Sequence, residues 1–400
     1  MSECYLRFVH AGDLRLDSAI EGIAEVPSHL QDVLSDAPLR AAEKVFDTAI
    51  AEDADFLLLA GNVLSAERCG PREIFFLVEQ CERLAAEKIP IYWLTGPDDP
   101  GNDWSAQSLL PANVVRLGAG QANQHWHRRV GRATARIVTA DAVSTDPDHD
   151  QDHFTIGTAS SLPDLQRMER HAIDYGALGG HDQQQTIASQ PITIHACGSP
   201  QGRSPDASGP YGCSLVEISP ARAVRLTPVV TDVVRWHTER IEIDATVDAI
   251  QLELAARQRL QDLLAHHADR PLLINLTVTG QGPLLGGLRS GRLAEDLVGK
   301  LRVQFGHHTP ALWTASLRSE PRHDFTPAWY EEETMLGEFL RNVRQLTAEP
   351  GTKIDLSRYL DPLPAELSAA LDIPDSKTRS EVLQAAATLG VEMLSGQAAP

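Results

Sequence analysis

The run DFLLLAGNV, residues 55–63, decides the fold class because an unbroken apolar segment stands directly before Gly61 and Asn62. Two further runs have the same form, YLRFVHAGD at 5–13 and IPIYWLTG at 89–96. Apolar runs that end in glycine and a polar residue are typical of short strands buried on both faces of a parallel sheet. We therefore predict that these three runs are neighbouring parallel strands.

Helical patterns separate the three runs. Residues 38–53 and 71–88 carry apolar side chains at helical spacing, and Pro71 suits a first helical turn. Strand–helix–strand repetition predicts an α/β fold in which the carboxyl ends of the strands share one edge, where ligands bind. Beyond residue 110 the pattern becomes strand-rich.

The pattern of apolar residues changes again near residue 235, where helical and strand patterns alternate and predict a compact α+β unit. Its Gly-rich segment GQGPLLGGLRSG, residues 280–291, is interpreted as a hairpin or edge loop. Beyond Pro327 the sequence is helical, with an apolar stripe over 331–346. The predicted domains are 1–235, 236–320 and 321–400.

Composition narrows the function classes. The formal charge of -20 opposes tight binding of DNA by this chain alone, because a polyanion would be repelled. No apolar run approaches the roughly 20 residues that span a bilayer. The five cysteines form no CxxC pair, so the sequence predicts neither a disulfide framework nor a zinc knuckle. We therefore predict a cytoplasmic protein.

Four strand-end turns carry the polar residues: HAGDLRLDS (10–18), LAGNVLS (59–65), LTGPDDP (94–100) and DYGALGGHDQ (174–183). With the later segment GSPQGRS…GPYGCSLVEI (198–218), they occur in the order found in one family. The chain resembles the calcineurin-like metallophosphoesterases, and specifically the SbcD-type bacterial DNA-repair exonucleases.

The resemblance implies a two-sheet αββα sandwich over 1–235, an α+β capping domain and a helical C-terminus that docks on a partner. It also implies two Mn²⁺ or Mg²⁺ ions that clamp a phosphate and activate water. The implied partners are a coiled-coil ATPase and a second copy of the chain in a homodimer.

The turns depart from the family pattern at most ligand positions. Asp13 is kept, but Arg15 replaces a metal-binding histidine and has no lone pair to donate. Asn62 replaces the bridging aspartate, and Asp182 stands at the position of a histidine ligand. Asp98 occupies the position of the catalytic histidine. We predict a dismantled site that binds no metal ion or one weakly held ion.

An alternative stays open at the level of sequence. Asp13, Asp98, Asp99, Asp182 and His181 would form an oxygen-rich site for one Mg²⁺ or Mn²⁺ if they were rearranged. Arg15 would then bind a substrate phosphate directly. The function classes are thus a degenerate exonuclease subunit, an active phosphodiesterase or exonuclease with an altered site, and a scaffold unrelated to DNA.

Overall fold

The computed structural model describes residues 5–101, 104–118, 124–128, 134–139, 153–160, 173–267, 269–280, 282–289, 291–321, 327–349 and 376–394. They fall into two compact units. The first is Met1–Thr238 with His267–Asn275 and Phe305–Ala315, and the second is Glu239–His266, Leu276–Gln304 and Ser316–Pro400. The domain boundaries given above stay predictions.

The first unit contains a six-stranded sheet. Its strands are β1 (Leu6–Ala11), β2 (Phe56–Leu59), β3 (Ile91–Leu94), β4 (Val114–Leu117), β11 (Gly212–Ile218) and β12 (Val224–Val230). Their order is β12-β11-β1-β2-β3-β4, and β1 to β4 run parallel to one another. The prediction of three neighbouring parallel strands is confirmed.

A second six-stranded sheet packs on the first. Its strands are β5 (Gln124–Arg128), β6 (Thr134–Thr139), β7 (His153–Ala159), β8 (Tyr175–Leu178), β9 (Gln185–Ala188) and β10 (Thr193–Ala196). The order is β5-β6-β7-β8-β10-β9, with β5 and β9 as antiparallel edges.

Two apolar layers hold this unit together. Between the sheets, Phe8 and Phe56 stack with ring centroids 4.7 Å apart and meet Tyr175 and Phe154 of the second sheet. On the other face of the first sheet lie helices α1 (Ser28–Ala51) and α2 (Pro71–Ala86). The two-sheet α/β fold predicted from the sequence is confirmed.

Helix α1 begins at Ser28, well before the predicted residue 38. Leu30 and Leu34 are spaced four residues apart and are buried, because they pack on a separate apolar cluster around Trp236 and Trp313. The extra helical turns are therefore stabilised by residues distant in sequence.

A third sheet contains β13 (Arg235–Ile243), β14 (Leu272–Gly280) and β15 (Leu312–Pro321), with β14 in the middle. The same part of the chain contains the helices α3 (Ala249–His266), α4 (Pro283–Arg289), α5 (Arg292–Phe305), α6 (Pro327–Glu331), α7 (Met335–Ala348) and α8 (Ser376–Leu394). The predicted hairpin over 280–291 is wrong, because α4 buries Leu285 and Leu288.

The apolar stripe of α7 is covered by the chain itself. Leu340 of α7 is buried, as are Leu383 and Ala387 of α8, and these residues line one groove of about 400 Å³ between the two helices. None of the described helices is long and apolar enough to cross a bilayer.

Candidate functional site at the strand-end turns

Four turns meet at the carboxyl ends of β1, β2, β3 and β8. We call them the strand-end rim, residues 12–16, 61–64, 95–99 and 179–182. Backbone hydrogen bonds join the first two turns, since the amides of Asp13 and Arg15 donate to the carbonyls of Gly61 and Asn62 at 2.9 and 3.0 Å. The meeting of the turns at one edge, predicted from the strand pattern, is confirmed.

Three non-glycine residues of the rim adopt left-handed backbone conformations. The φ angles are +50° for Asp13, +41° for Arg15 and +54° for Asn62. Such conformations are uncommon outside glycine and are concentrated at functional sites and sharp turns. The direction of these three side chains is therefore set by a left-handed backbone conformation.

The carboxylate of Asp13 is almost fully buried and lies at the centre of the rim. Its Oδ1 accepts a hydrogen bond from Nδ2 of Asn62 at 2.8 Å, and its Oδ2 accepts one from the amide of Gly180 at 2.8 Å. A guanidinium nitrogen of Arg15 lies 3.4 Å from Oδ1. Both carboxylate oxygens thus already have N–H donors.

Burial raises the pKa of Asp13 above its ordinary value. The hydrogen bond from Asn62, the charge of Arg15 and the amide of Gly180 act in the opposite direction and favour the ionised form. The nearby carboxylate of Asp182 adds to the upward shift. The protein's own N–H groups therefore keep the Asp13 carboxylate as a hydrogen-bond acceptor.

Asn62 faces Asp13 with its nitrogen and not with its oxygen. Its Oδ1 is directed at the amide of Asp98, 3.4 Å away, while Nδ2 points at the Asp13 carboxylate. Only this orientation of the Asn62 amide places its N–H group toward the Asp13 carboxylate and its oxygen toward the Asp98 N–H group. Position 62, where the resemblance implies a bridging carboxylate, therefore presents a hydrogen-bond donor to Asp13.

Asp99 is turned inward. One carboxylate oxygen accepts from the amides of Gly96 and Asn62 at 2.7 and 2.8 Å, and the other accepts from Val63 and Leu64 at 2.7 and 3.2 Å. The indole N–H of Trp93 donates at 3.2 Å. Burial raises the pKa of Asp99, and these donors oppose the shift. Asp99 fastens the second turn to the third.

The remaining predicted site residues lie at the surface of the rim. Asp98 and Asp182 are exposed, and His181 is partly exposed. Arg15 has 38% of its side chain exposed. Among the residues that the structure describes, no three His, Cys, Asp or Glu side chains are placed to bind one ion.

Arg203 is a part of the site that the sequence did not single out. Its guanidinium donates to the carbonyls of Asp13 and Leu14 and to Oγ of Ser199. Burial, followed by the positive charge of Arg15, lowers the pKa of Arg203 to about 10. The sequence does contain one sign of this role, because Arg203 is the single charged residue of the segment GSPQGRS (198–204). That segment was used above only as a motif of the family resemblance.

The donor set does not fit a pair of divalent ions. A bridging ligand must offer lone pairs to both ions, but Asn62 presents N–H and the Asp13 oxygens already accept. Arg15 adds a fixed positive charge beside them. Gly180 stands at the other ligand position that the resemblance implies in the last turn. Its φ is +71°, and a Cβ there would lie 2.5 Å from the carbonyl oxygen of Ser160, so the backbone disfavours any side chain.

Comparison with known proteins finds relatives among the metallophosphoesterases. Residues 236–322 match the family model described as the middle domain of metallophosphoesterase YhaO. The uncharacterized metallophosphoesterase YhaO of Bacillus subtilis (strain 168) is 29% identical over 237 residues, which cover 54% of this chain and 58% of YhaO. The match thus spans less than two thirds of that relative.

Solved structures similar to the chain include TT1561 of Thermus thermophilus, with a TM-score of 0.35 and 13% identity over 56% of this chain and 99% of that one. A dimetal phosphatase from Danio rerio has a TM-score of 0.34 and 7% identity over 55% of this chain and 94% of its own.

The two-sheet fold and the match to YhaO make the chain similar to the metallophosphoesterases. The particular relative that it resembles is YhaO, at 29% identity. Metallophosphoesterases generally use divalent metals.

Proposed function

We propose that this chain is a catalytically inactive metallophosphoesterase-family subunit of the SbcD type, which works without bound metal. The observation that carries the proposal is the occupied Asp13 carboxylate, whose two oxygens accept N–H groups from Asn62 and Gly180 at 2.8 Å. Hydrogen bonds within the chain join the turns that paired ions would otherwise hold together.

Hydrolysis by two metals needs an activated water and a neutralised phosphate. In this chain the position of the family's catalytic histidine carries Asp98, an exposed carboxylate that repels a phosphate group. The fixed charge of Arg15 supplies attraction to an anion but cannot lower the pKa of a water as a coordinating ion does. Binding without turnover is the chemistry that these residues favour.

The partners are proposed from the SbcD-type resemblance. We expect a coiled-coil ATPase to bind the helical pair α7 and α8, whose outer surface exposes Met335, Leu389 and Met393. We also expect a homodimer and a cytoplasmic location. Cys69, Cys81, Cys197 and Cys213 form no disulfide in the structure, an arrangement that suits a reducing compartment.

Calorimetric titration of the purified chain with Mn²⁺, combined with hydrolysis of bis(p-nitrophenyl) phosphate, tests the inactive site. We expect neither binding heat nor turnover, and no loss of thermal stability on addition of EDTA. The matched positive control is Arg15→His combined with Asn62→Asp, which restores two ligands and leaves Gly180 unchanged. Stoichiometric Mn²⁺ binding with turnover by the natural chain would instead establish the rearranged acid-rich site.

Co-expression with a coiled-coil ATPase encoded beside this chain tests the assembly. The complex is expected to form and to be lost when Met335 and Met393 are both replaced by Glu. Light scattering on the chain alone measures its molar mass, which is expected to be that of a homodimer. A chain that remains monomeric and binds no ATPase would favour the scaffold unrelated to DNA.

A further inference from the structure

One segment of this acidic chain is basic. Between Asp103 and Asp141 the sequence contains no Asp or Glu and five arginines, although the whole chain has 55 acidic residues. Arg116 of this group is buried, and Arg129 and Arg132 lie outside the described residues. The other two, Arg128 and Arg136, lie on the edge strand β5 and its neighbour β6.

Strand β5 presents its alternate residues to solvent. Gln124, Trp126 and Arg128 are exposed, and Trp126 retains 39% of its surface. The intervening His127 points to the core, where its Nδ1 lies 2.9 Å from the hydroxyl of Tyr92. An exposed tryptophan on an edge strand is unusual, since tryptophan is mostly buried and edge strands generally carry charged residues or proline.

Arg136 of β6 lies directly opposite Trp126 in the antiparallel pair. Its guanidinium carbon is 5.8 Å from the centre of the indole ring. Gln124 fixes this guanidinium, because its Oε1 accepts from Nη2 at 2.8 Å and from Nε at 3.3 Å. Within the described part of the chain, neither Arg128 nor Arg136 is ion-paired with a carboxylate. We call Gln124, Trp126, Arg128 and Arg136 the Trp126 face.

We propose that the Trp126 face binds single-stranded nucleic acid, with a base stacked on Trp126 and phosphates paired with Arg128 and Arg136. Indole rings stack on bases of any sequence, and guanidinium groups pair with phosphates through two hydrogen bonds. An acidic peptide would need the guanidinium groups but would gain little from an exposed indole. Strands β5 and β6 themselves contribute no carboxylate that would repel a phosphate, because the sequence between Asp103 and Asp141 contains no Asp or Glu.

This surface is separate from the strand-end rim, so the proposal does not depend on whether the rim binds metal. Its test is the fluorescence anisotropy of a labelled oligothymidylate of about 20 nucleotides, titrated with the full chain at several salt concentrations. Binding is expected at low salt and is expected to weaken steeply as salt rises.

Trp126→Ala is expected to weaken binding about tenfold, because one stacked base is lost. Trp126→Phe should retain most of the affinity. Arg128→Gln with Arg136→Gln is expected to reduce the slope of log K against log salt by about 1.4, the value for two phosphate contacts on a single strand. The retained fold of each variant is checked by its thermal unfolding.

The matched controls are Phe75→Ala and Lys88→Gln, an exposed aromatic residue and an exposed cation elsewhere on the first unit. Neither control should change the affinity. The proposal is overturned if the oligonucleotide does not bind at low salt, if Trp126→Ala binds as the natural chain does, or if the controls weaken binding equally. Competition by polyglutamate at the same charge concentration would overturn it in favour of an acidic-peptide surface.

Discussion

The side-chain nitrogen of Asn62 lies 2.8 Å from a carboxylate oxygen of Asp13 and donates a hydrogen bond to it. This contact joins the end of β1 to the end of β2 at the position where the family resemblance implies a carboxylate that bridges two ions. With a neutral amide in that place, the two side chains at the centre of the rim form a hydrogen-bonded contact.

Asn62→Asp tests this contact, because it places a second carboxylate against Asp13. We expect the free energy of unfolding at pH 7 to fall by about 2–3 kcal/mol, since a hydrogen bond to a charged group is replaced by repulsion. Addition of Mn²⁺ should recover part of the loss. Urea unfolding with and without Mn²⁺ measures both effects. An unfolding free energy equal to that of the natural chain would show that the Asn62–Asp13 hydrogen bond contributes nothing.

Asp99→Asn removes the charge that accepts five N–H groups. The replacement amide also turns a donor toward buried donors, so we expect a loss of about 2–4 kcal/mol in urea unfolding. The neighbouring Asp98→Asn is the control. Asp98 is exposed, so its replacement should change stability by less than about 0.5 kcal/mol. Equal losses of stability from the two substitutions would show that the hydrogen bonds to the Asp99 carboxylate do not stabilise the fold.

Gly180→Ala combines two penalties, the left-handed φ of +71° and the approach of its new Cβ to within 2.5 Å of the Ser160 carbonyl oxygen. Gly209 has φ +102°, and a Cβ added there would meet no atom within 4 Å, so Gly209→Ala carries only the first penalty. We expect Gly209→Ala to cost about 1 kcal/mol and Gly180→Ala about 2–3 kcal/mol. Thermal unfolding of the two variants side by side makes the comparison, and a larger loss at Gly209 would contradict it.

His195 connects stability to pH. Burial lowers its pKa to about 4, and its ring contacts Thr186 and Ser214 at 3.1 and 2.7 Å. The unfolded chain takes up a proton on this side chain near pH 6.5, and the folded chain does so only near pH 4. The stabilising contribution is therefore complete above pH 6.5 and is lost as pH falls from 6.5 to 4.

The expected loss from His195 across that interval is about 3 kcal/mol. Burial also lowers the pKa of His10, whose Nδ1 lies 2.9 Å from the hydroxyl of Tyr175, so His10 acts in the same direction. Asp13 and Asp99 have raised pKa values and act in the opposite direction near pH 4. The measurement is therefore the difference between the natural chain and His195→Gln. If their stabilities fall in parallel with pH, His195 does not supply the effect.

The sequence by itself determined the elements that depend on local pattern. Continuous apolar runs ending in Gly61 and Gly96 are typical of buried strands, which the structure has there, and the helical spacing over 71–88 corresponds to α2 at Pro71–Ala86. Because parallel strands deliver their carboxyl ends to one edge, the meeting of Asp13 and Asn62 followed from the same pattern.

The tertiary structure decided what those residues do at the edge. Asp98 and Asp99 are adjacent carboxylates in the sequence, but one faces solvent and the other accepts five N–H groups, three of them from the turn after β2. Likewise Arg203 reaches Asp13 across 190 residues, and the first turns of α1 exist because Leu30 packs near Trp313. Residue type sets which hydrogen bonds a side chain is able to make, whereas the partner it finds depends on long-range packing, which local periodicity does not encode.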